Sequence, residues 1–550
     1  MLRFCLLLLA LASLLHAEKP LKLWVEEFNR IDELVPGTLG GHIPNDGALA
    51  FLNNNIPRFD CPDQQLVRTY YFRWWTYRKH IRKTAEGYVI TEFLPEVPWA
   101  RKYNTINCPA GHQFREGRWL HDSSIIEDYA RFYFGKNAQG KPRQYSFWAA
   151  DSVLQYCMVT GKNTLAIELL DALVANYREW EKTNGTEDGL FWQVDDRDGM
   201  EVSVGGTGKR PTINSYLYAD AMAIALIAGM AERWDVRREF ASKAIKLGRL
   251  INEQLWDAEA QFYKTIPHKP EGSRHKLGKT SHNGPWVDVR ELHGYTPWYF
   301  NIPEQRKGRE VAWKQLTDPR GFAAPYGPTT AEQRHPGFAI SRQGHECQWN
   351  GPSWPFATSI TLTAMANVLH HYPQEVITKQ DYFKQLQIYS NSHRLTLLEQ
   401  PEGPVAEHSK GKDTTAFHMC WIDENLDPHT GQWLARALLK EKAKATKDLG
   451  KLIPERGQHY NHSTFCDLII TGLCGLNPRP DSRLVVHPLV PEGEWDWFKL
   501  ENVKYHDQLL TIQWDKDGSK YGKGKGLRVI ADGKVLGTGD DLKELVVEIP

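Results

Sequence analysis

Between about residue 22 and residue 478, apolar residues recur at helical spacing, interrupted by long polar loops. Residues 165–180 carry apolar side chains at that spacing, with acids and Arg178 on the other face, which predicts an amphipathic helix. Residues 215–234 are nearly all apolar or small, and predict a helix packed on several sides. Residues 237–255 and 433–449 read as amphipathic helices. Residues 356–371 read as a buried helix opened by Pro355, a favourable first-turn residue. A further buried helix is expected over 463–476, with Asn461 or Ser463 as its cap. The segments between them, 93–119, 185–211, 280–303 and 321–355, are long, aromatic and rich in Gly and Pro. Loops of that length are uncommon unless they serve a purpose. Apolar inner helices, amphipathic outer ones and recurrent long loops predict a mainly α fold, an α/α toroid with a cleft at one end. No short repeat of fixed period marks a simple solenoid.

The pattern changes after about residue 479. Short alternating or clustered apolar runs cover 483–490, 498–503, 508–514, 527–531 and 545–549, separated by turns such as Asp517-Gly518 and Asp532-Gly533. They predict a small β-sandwich-like domain of about 70 residues that packs on the helical body. At the other end, residues 1–17 have the form of a secretory signal peptide, with Arg3, an apolar run and Ala17 at the cleavage point. The expected organisation is therefore a signal peptide (1–17), a helical catalytic domain (18–478) and a C-terminal β domain (479–550). No membrane insertion is expected after signal cleavage.

Composition narrows the functional classes. The 67 basic and 67 acidic residues balance, so nothing argues electrostatically for nucleic acid or an acidic membrane surface. Removing Cys5 with the signal leaves seven cysteines, an odd number without zinc or CxxC spacing. A Cys61–Cys108 bridge is one pairing open to the chain, but spacing does not argue for it. Asn184-Gly185-Thr186 and Asn461-His462-Ser463 match the glycosylation sequon. The 20 Trp, 22 Tyr and 21 Phe stand out, because many lie among Asn, Gln, Arg and acids, as suits a polyhydroxylated ligand.

Three segments could carry chemistry. In 421–433, Asp423, Glu424 and Asp427 lie between Trp421 and Trp433, so a carboxylate could be held beside aromatic faces on which sugars stack. In 189–203, Asp195, Asp196, Asp198 and Glu201 share a Gly-punctuated loop with Trp192. Apolar and like-charged neighbours there would raise a carboxyl pKa, as a general acid needs. Calcium is the rival reading of these four acids, but they lack EF-hand spacing. In 345–355, an Asn-Gly-Pro turn brings Glu346, Gln348, Trp349 and Trp354 to a loop-to-helix junction. Tyr460 and His462 precede the last expected helix and could face the same cleft. No serine-hydrolase elbow, phosphate-binding loop, dinucleotide fingerprint or HExxH motif is present.

These residues carry a family resemblance. Gly351-Pro352-Ser353-Trp354-Pro355 resembles a turn of six-hairpin glycosidases. The segment 424–431 resembles the Glu-x-x-Asp-Pro-x-Thr-Gly segment of glycoside hydrolase family 63 and the mannosylglycerate-hydrolase-like enzymes, whose Glu is the general base. Gly199-Met200-Glu201 is similar to their Gly-Met-Asp segment, whose Asp is the general acid, although this chain has Glu at that position and Val202-Ser203-Val204 after it. The resemblance covers roughly 60–478 and implies an (α/α)6 barrel and an inverting mechanism. Glu201 would then be the acid, with Asp198 as its competitor, and Glu424 the base. Trp192, Trp349 and Trp354 would stack on sugar, and Asp198 and Gln348 would bond hydroxyls. Glu346, Arg118, Tyr460 and His462 complete the candidate binding set. The expected partner is a carbohydrate, and no metal or cofactor is called for. Two alternatives are a polysaccharide lyase using Tyr460 or His462 with Arg118, and a carbohydrate-binding protein without catalysis.

Overall fold

The computed structural model describes residues 20–34, 41–341, 344–395, 419–445 and 456–549. The expected signal peptide lies outside them. The body is helical and a strand-rich unit follows it, as the apolar pattern predicts.

Two long inner helices begin at proline, Pro211–Met230 and Pro355–His371. Both are buried on nearly every face, so they have little amphipathic character. Pro211–Met230 is apolar enough to cross a membrane, but 72% of its apolar window is buried inside the fold, as for a core helix. It packs against Ala149–Thr160, Thr164–Asn184 and Trp234–Leu250. The expected helix 215–234 stops at Met230 because Glu232 takes a left-handed φ of 55° and turns the chain. Trp234 opens the next helix, Trp234–Leu250, which ends in a π-helical turn at Ile251–Leu255. The last amphipathic helix is described as Leu434–Ala445, and the remainder of the expected 433–449 lies outside the described residues.

Another inner helix, Gln64–Lys79, has a polar sequence yet is buried over most of its length. Asp63 caps it, accepting from the Gln65 and Leu66 amides at 3.1 Å each. Its Arg73 reaches the Ser463 carbonyl at 2.8 Å and His393 at 3.1 Å. The expected helix 463–476 is shorter, with a π-helical turn at Leu468–Leu473. Its N-terminus is capped by Glu116 rather than by Asn461 or Ser463. The Glu116 carboxylate accepts from the amides of Phe465 (3.1 Å), Cys466 (2.9 Å) and Asp467 (2.8 Å). A cap from a distant helix leaves no local sequence signature.

The larger C-terminal sheet is antiparallel, in the order Arg58–Asp60, Trp497–Tyr505, Gln508–Asp515, Gly526–Ala531, Lys534–Gly539. Its edge strand Arg58–Asp60 comes from the N-terminal part of the chain. The hairpin turn Asp532-Gly533 has positive φ at both residues, 46° and 81°, as a two-residue turn needs. Leu476–Asn477, Arg483–Val486 and Leu545–Glu548 form a second sheet. Trp495 contacts Phe59 (6.5 Å) and Phe383 (5.3 Å), and apolar residues of both units share one core. The seven described cysteines are buried free thiols, so no Cys61–Cys108 bridge forms. Both sequon asparagines, Asn184 and Asn461, are buried and cannot carry a glycan in the folded chain.

Candidate active site

The loop before Pro211–Met230 makes a 3-10 turn at Asp196–Asp198 and then enters a left-handed conformation at Gly199, with φ 75°. A Cβ at Gly199 would lie 3.1 Å from Cys108 Sγ and 3.3 Å from the Trp354 ring, so glycine lets the loop press onto both. Two residues on, Glu201 enters the site. Its carbonyl accepts from the Trp349 amide and its carboxylate from Trp349 Nε1, both at 3.0 Å. Val202 follows with φ 62° and a side chain 46% exposed. A β-branched residue in that region is strained, and the strain is held beside the candidate acid.

The second carboxylate is fixed by a short antiparallel pairing. Leu426 and Ser353 exchange backbone hydrogen bonds of 2.9 and 3.0 Å, joining the loop of Glu424 to the loop of Trp354. Asp427 closes the following turn, its side chain accepting from His429 (2.9 Å) and Thr430 (3.2 Å). Glu424 is buried. It accepts from the Cys347 thiol at 3.0 Å and from Arg456 Nη2 at 3.4 Å. Arg456 Nη1 lies 3.2 Å from Glu346, which also holds Lys442 at 2.7 Å.

A third acid, Glu92, completes the cluster. It accepts from Trp99 Nε1 at 2.8 Å, and its Oε1 is 4.0 Å from His462. The Arg456 guanidinium stands over the rings of Trp99 (5.3 Å) and Phe93 (5.8 Å). Glu92 stands apart from the acid-rich loops, and the aromatic segment it opens is its one local signal.

Burial sets the electrostatics. It is the main cause that pushes the Glu201 carboxyl up to about 8, with Asp196 and Glu424 adding like-charge repulsion. Burial also raises Glu92 to about 8, against the Trp99 hydrogen bond, with Glu424 repelling and Arg456 opposing. Asp423 is raised to about 6, mainly by burial. Burial would raise Glu346 too, but Lys442 and Arg456 outweigh it and hold that carboxyl at about 2.

The structure gathers Glu201, Glu424, Trp349, Trp354, Tyr460, His462 and Glu346, and redirects the rest. Asp198 is wholly buried, ion-paired to Arg210 at 2.8 Å and bonded to Thr212, so it cannot meet a ligand as a competing acid or a hydroxyl partner. Asp195 contacts Ser203 and Thr207 at 3.4 Å each, while Glu201 faces Trp349 and Asp198 pairs with Arg210, and among the described residues these acids form no cluster of three that could hold a cation. Trp192 lies against His268 at 6.0 Å, on an extended stretch where successive side chains point oppositely. Arg118 is ion-paired to Asp467 at 2.6 Å, away from this cluster. Gln348 reaches the Ser341 carbonyl at 3.4 Å, while its neighbours Cys347 and Trp349 face the carboxylates.

Trp349 and Trp354 are 1% and 2% exposed and stack on each other at 4.3 Å. Trp354 stacks in turn on Phe356 at 4.4 Å and donates to the Tyr460 hydroxyl at 3.1 Å. These rings form a wall beside Glu201 rather than an open sugar platform. The accessible indole here is Trp99, 37% exposed.

Residues 102–463 match the mannosylglycerate hydrolase MGH1-like glycoside hydrolase domain. Residues 479–537 match the C-terminal domain of glycosyl hydrolase family 65. Among solved structures, the chain is similar to one described as a sialidase, with 38% identity and a TM-score of 0.82 over 96% of this chain and 44% of that one. The chain therefore spans less than half the length of that protein. An α-L-rhamnosidase from Dictyoglumus thermophilum shares the fold at 10% identity and a TM-score of 0.50, over 90% of this chain and 50% of that one.

Proposed function

The chain belongs to the mannosylglycerate hydrolase MGH1-like glycoside hydrolases, and from that premise we propose a secreted glycosidase that hydrolyses a neutral glycoside with inversion. Glu201 protonates the departing oxygen, and Glu424 takes a proton from the water that attacks the opposite face. The observation that carries this reading is the pairing of environments. Glu201 keeps its proton near neutrality beside Trp349, while Glu424 faces the Arg456 guanidinium. Trp99 is the platform for a sugar ring, because it is 37% exposed and its N–H is anchored on Glu92.

A neutral sugar is favoured because both Nη atoms of Arg456 are already engaged, by Glu346 and Glu424. An anionic sugar would need a guanidinium whose two Nη atoms are free to grip it as a fork. The second reading, a sialoside, is motivated by the 38% identity to the protein described as a sialidase. Proton NMR of the first product anomer, across neutral aryl glycosides and an aryl sialoside, tests both points. Release of the retained anomer, or turnover of the sialoside alone, would overturn the proposal. Secretion is tested by the N-terminal sequence of protein recovered from the medium, expected to begin at residue 18.

A lyase is disfavoured. Burial pushes the Tyr460 phenol well above its ordinary range and His462 well below its own, and Arg118 is remote.

A further inference from the structure

The helix Pro355–His371 starts in the wall beside Glu201, and 17 residues later, about 25 Å along its axis, it ends at a cavity. This cavity, of 510 Å³, lies between the helical body and the C-terminal sheets. Arg115 and Arg118 line it from the helical side, Arg479 and Arg483 from the strand side. On each wall two guanidiniums share one carboxylate. Arg115 and Arg118 bond Asp467 at 2.8 and 2.6 Å. Arg479 and Arg483 bond Asp481 at 2.7 and 3.0 Å. Each wall thus carries one positive charge beyond the carboxylate its guanidiniums share, partly offset by Glu544 in the lining and by Asp151 beside Arg115 and Arg118. His370, His371 and His487 also line the cavity, but burial holds all three below the ordinary histidine value, so they add little charge at neutral pH.

A second observation is independent of charge. Arg118, Tyr299 and Thr363 are lining residues at least nine-tenths buried, and their Nε, Oη and Oγ1 atoms, shielded from solvent, have no hydrogen-bond partner among the described residues. Unpartnered buried polar groups are costly, and three of them border this one cavity. We infer that this cavity binds an oxyanion, borne by a carboxylate, phosphate or sulfate, that bridges the helical body and the β domain. Guanidinium forks suit such groups, and the volume is in the usual range for a small-molecule site. The site is separate from the glycosidase centre and independent of the mechanism proposed for it.

The test is titration calorimetry and thermal melting of the whole chain with inorganic phosphate, sulfate or citrate, each against sodium chloride at matched ionic strength. The comparison protein is the double variant Arg479→Gln/Arg483→Gln, whose side chains are 34% and 53% exposed and tolerate replacement. At least one anion should bind saturably with a dissociation constant below about 1 mM and raise the melting temperature by several degrees. The double variant should bind at least about tenfold more weakly, with hydrolysis of a neutral aryl glycoside unchanged. Binding of citrate alone would assign a carboxylate ligand, and binding of phosphate or sulfate alone the corresponding class. No saturable binding beyond the chloride control, or equal binding by the double variant, would overturn the inference.

Discussion

The Cys347 thiol lies 3.0 Å from Oε1 of Glu424, and Arg456 Nη2, which reaches Oε2 at 3.4 Å, also lies 3.7 Å from the thiol sulfur. The two donors hold one oxygen each and fix the plane of the proposed base. Removing the thiol should cost orientation rather than binding. Cys347→Ala should lower kcat about three- to tenfold with KM nearly constant, whereas Cys347→Ser, which keeps a donor, should stay within about twofold. Steady-state kinetics on one aryl glycoside decides it, and wild-type kcat in the Ala variant would remove Cys347 from the site's machinery.

Glu424→Gln keeps the shape of the carboxylate but cannot take a proton. Turnover should fall about 10²–10⁴-fold while circular dichroism and sugar affinity hold. A variant above half the wild-type rate would remove Glu424 from the mechanism.

The Glu201 carboxyl, raised to about 8, is protonated at neutral pH, so activity should decline as pH rises through that value. Glu201→Gln should abolish this alkaline limb and hurt most with poor leaving groups. Asp198→Asn should behave differently, because it breaks the buried pair with Arg210. It should destabilise the fold by about 3–5 kcal/mol in denaturant melts and show no dependence on the leaving group. Leaving-group dependence in Asp198→Asn, and none in Glu201→Gln, would reverse the assignment.

Glu92 titrates at about 8 in the fold against an ordinary 4.5. The native state therefore holds a proton that the unfolded chain releases. The associated stability is complete below 4.5 and is lost as pH rises through 8. Glu92→Gln should melt progressively higher than the wild type between about pH 5 and pH 9. A difference that stays constant across that range would mean Glu92 ionises normally.

Deleting the chain after residue 480 should yield aggregates. It removes Trp497–Tyr505, the partner of the Arg58–Asp60 strand, and uncovers core side chains such as Phe59 and Phe383. A soluble truncation with an unchanged melting temperature would contradict the shared core.

Local pattern determined much of this protein. The apolar helices opened by Pro211 and Pro355 were legible because a wholly buried helix must be apolar on every face, and the C-terminal strands because alternation and Asp-Gly turns are local. The loops of Glu201 and Glu424 were legible from acids set among tryptophans. The tertiary structure decided what those side chains do. Trp349 and Trp354 spend their faces on each other, and Arg118 and Asp198 spend their charges on Asp467 and Arg210. Glu92 and Arg456 joined the site through contacts across hundreds of residues, and Glu116 capped a helix 349 residues away. A side chain's type is written in the chain, but its partner is set by packing. A buried charge must be paired wherever the fold brings a partner, and sequence distance carries no information about that.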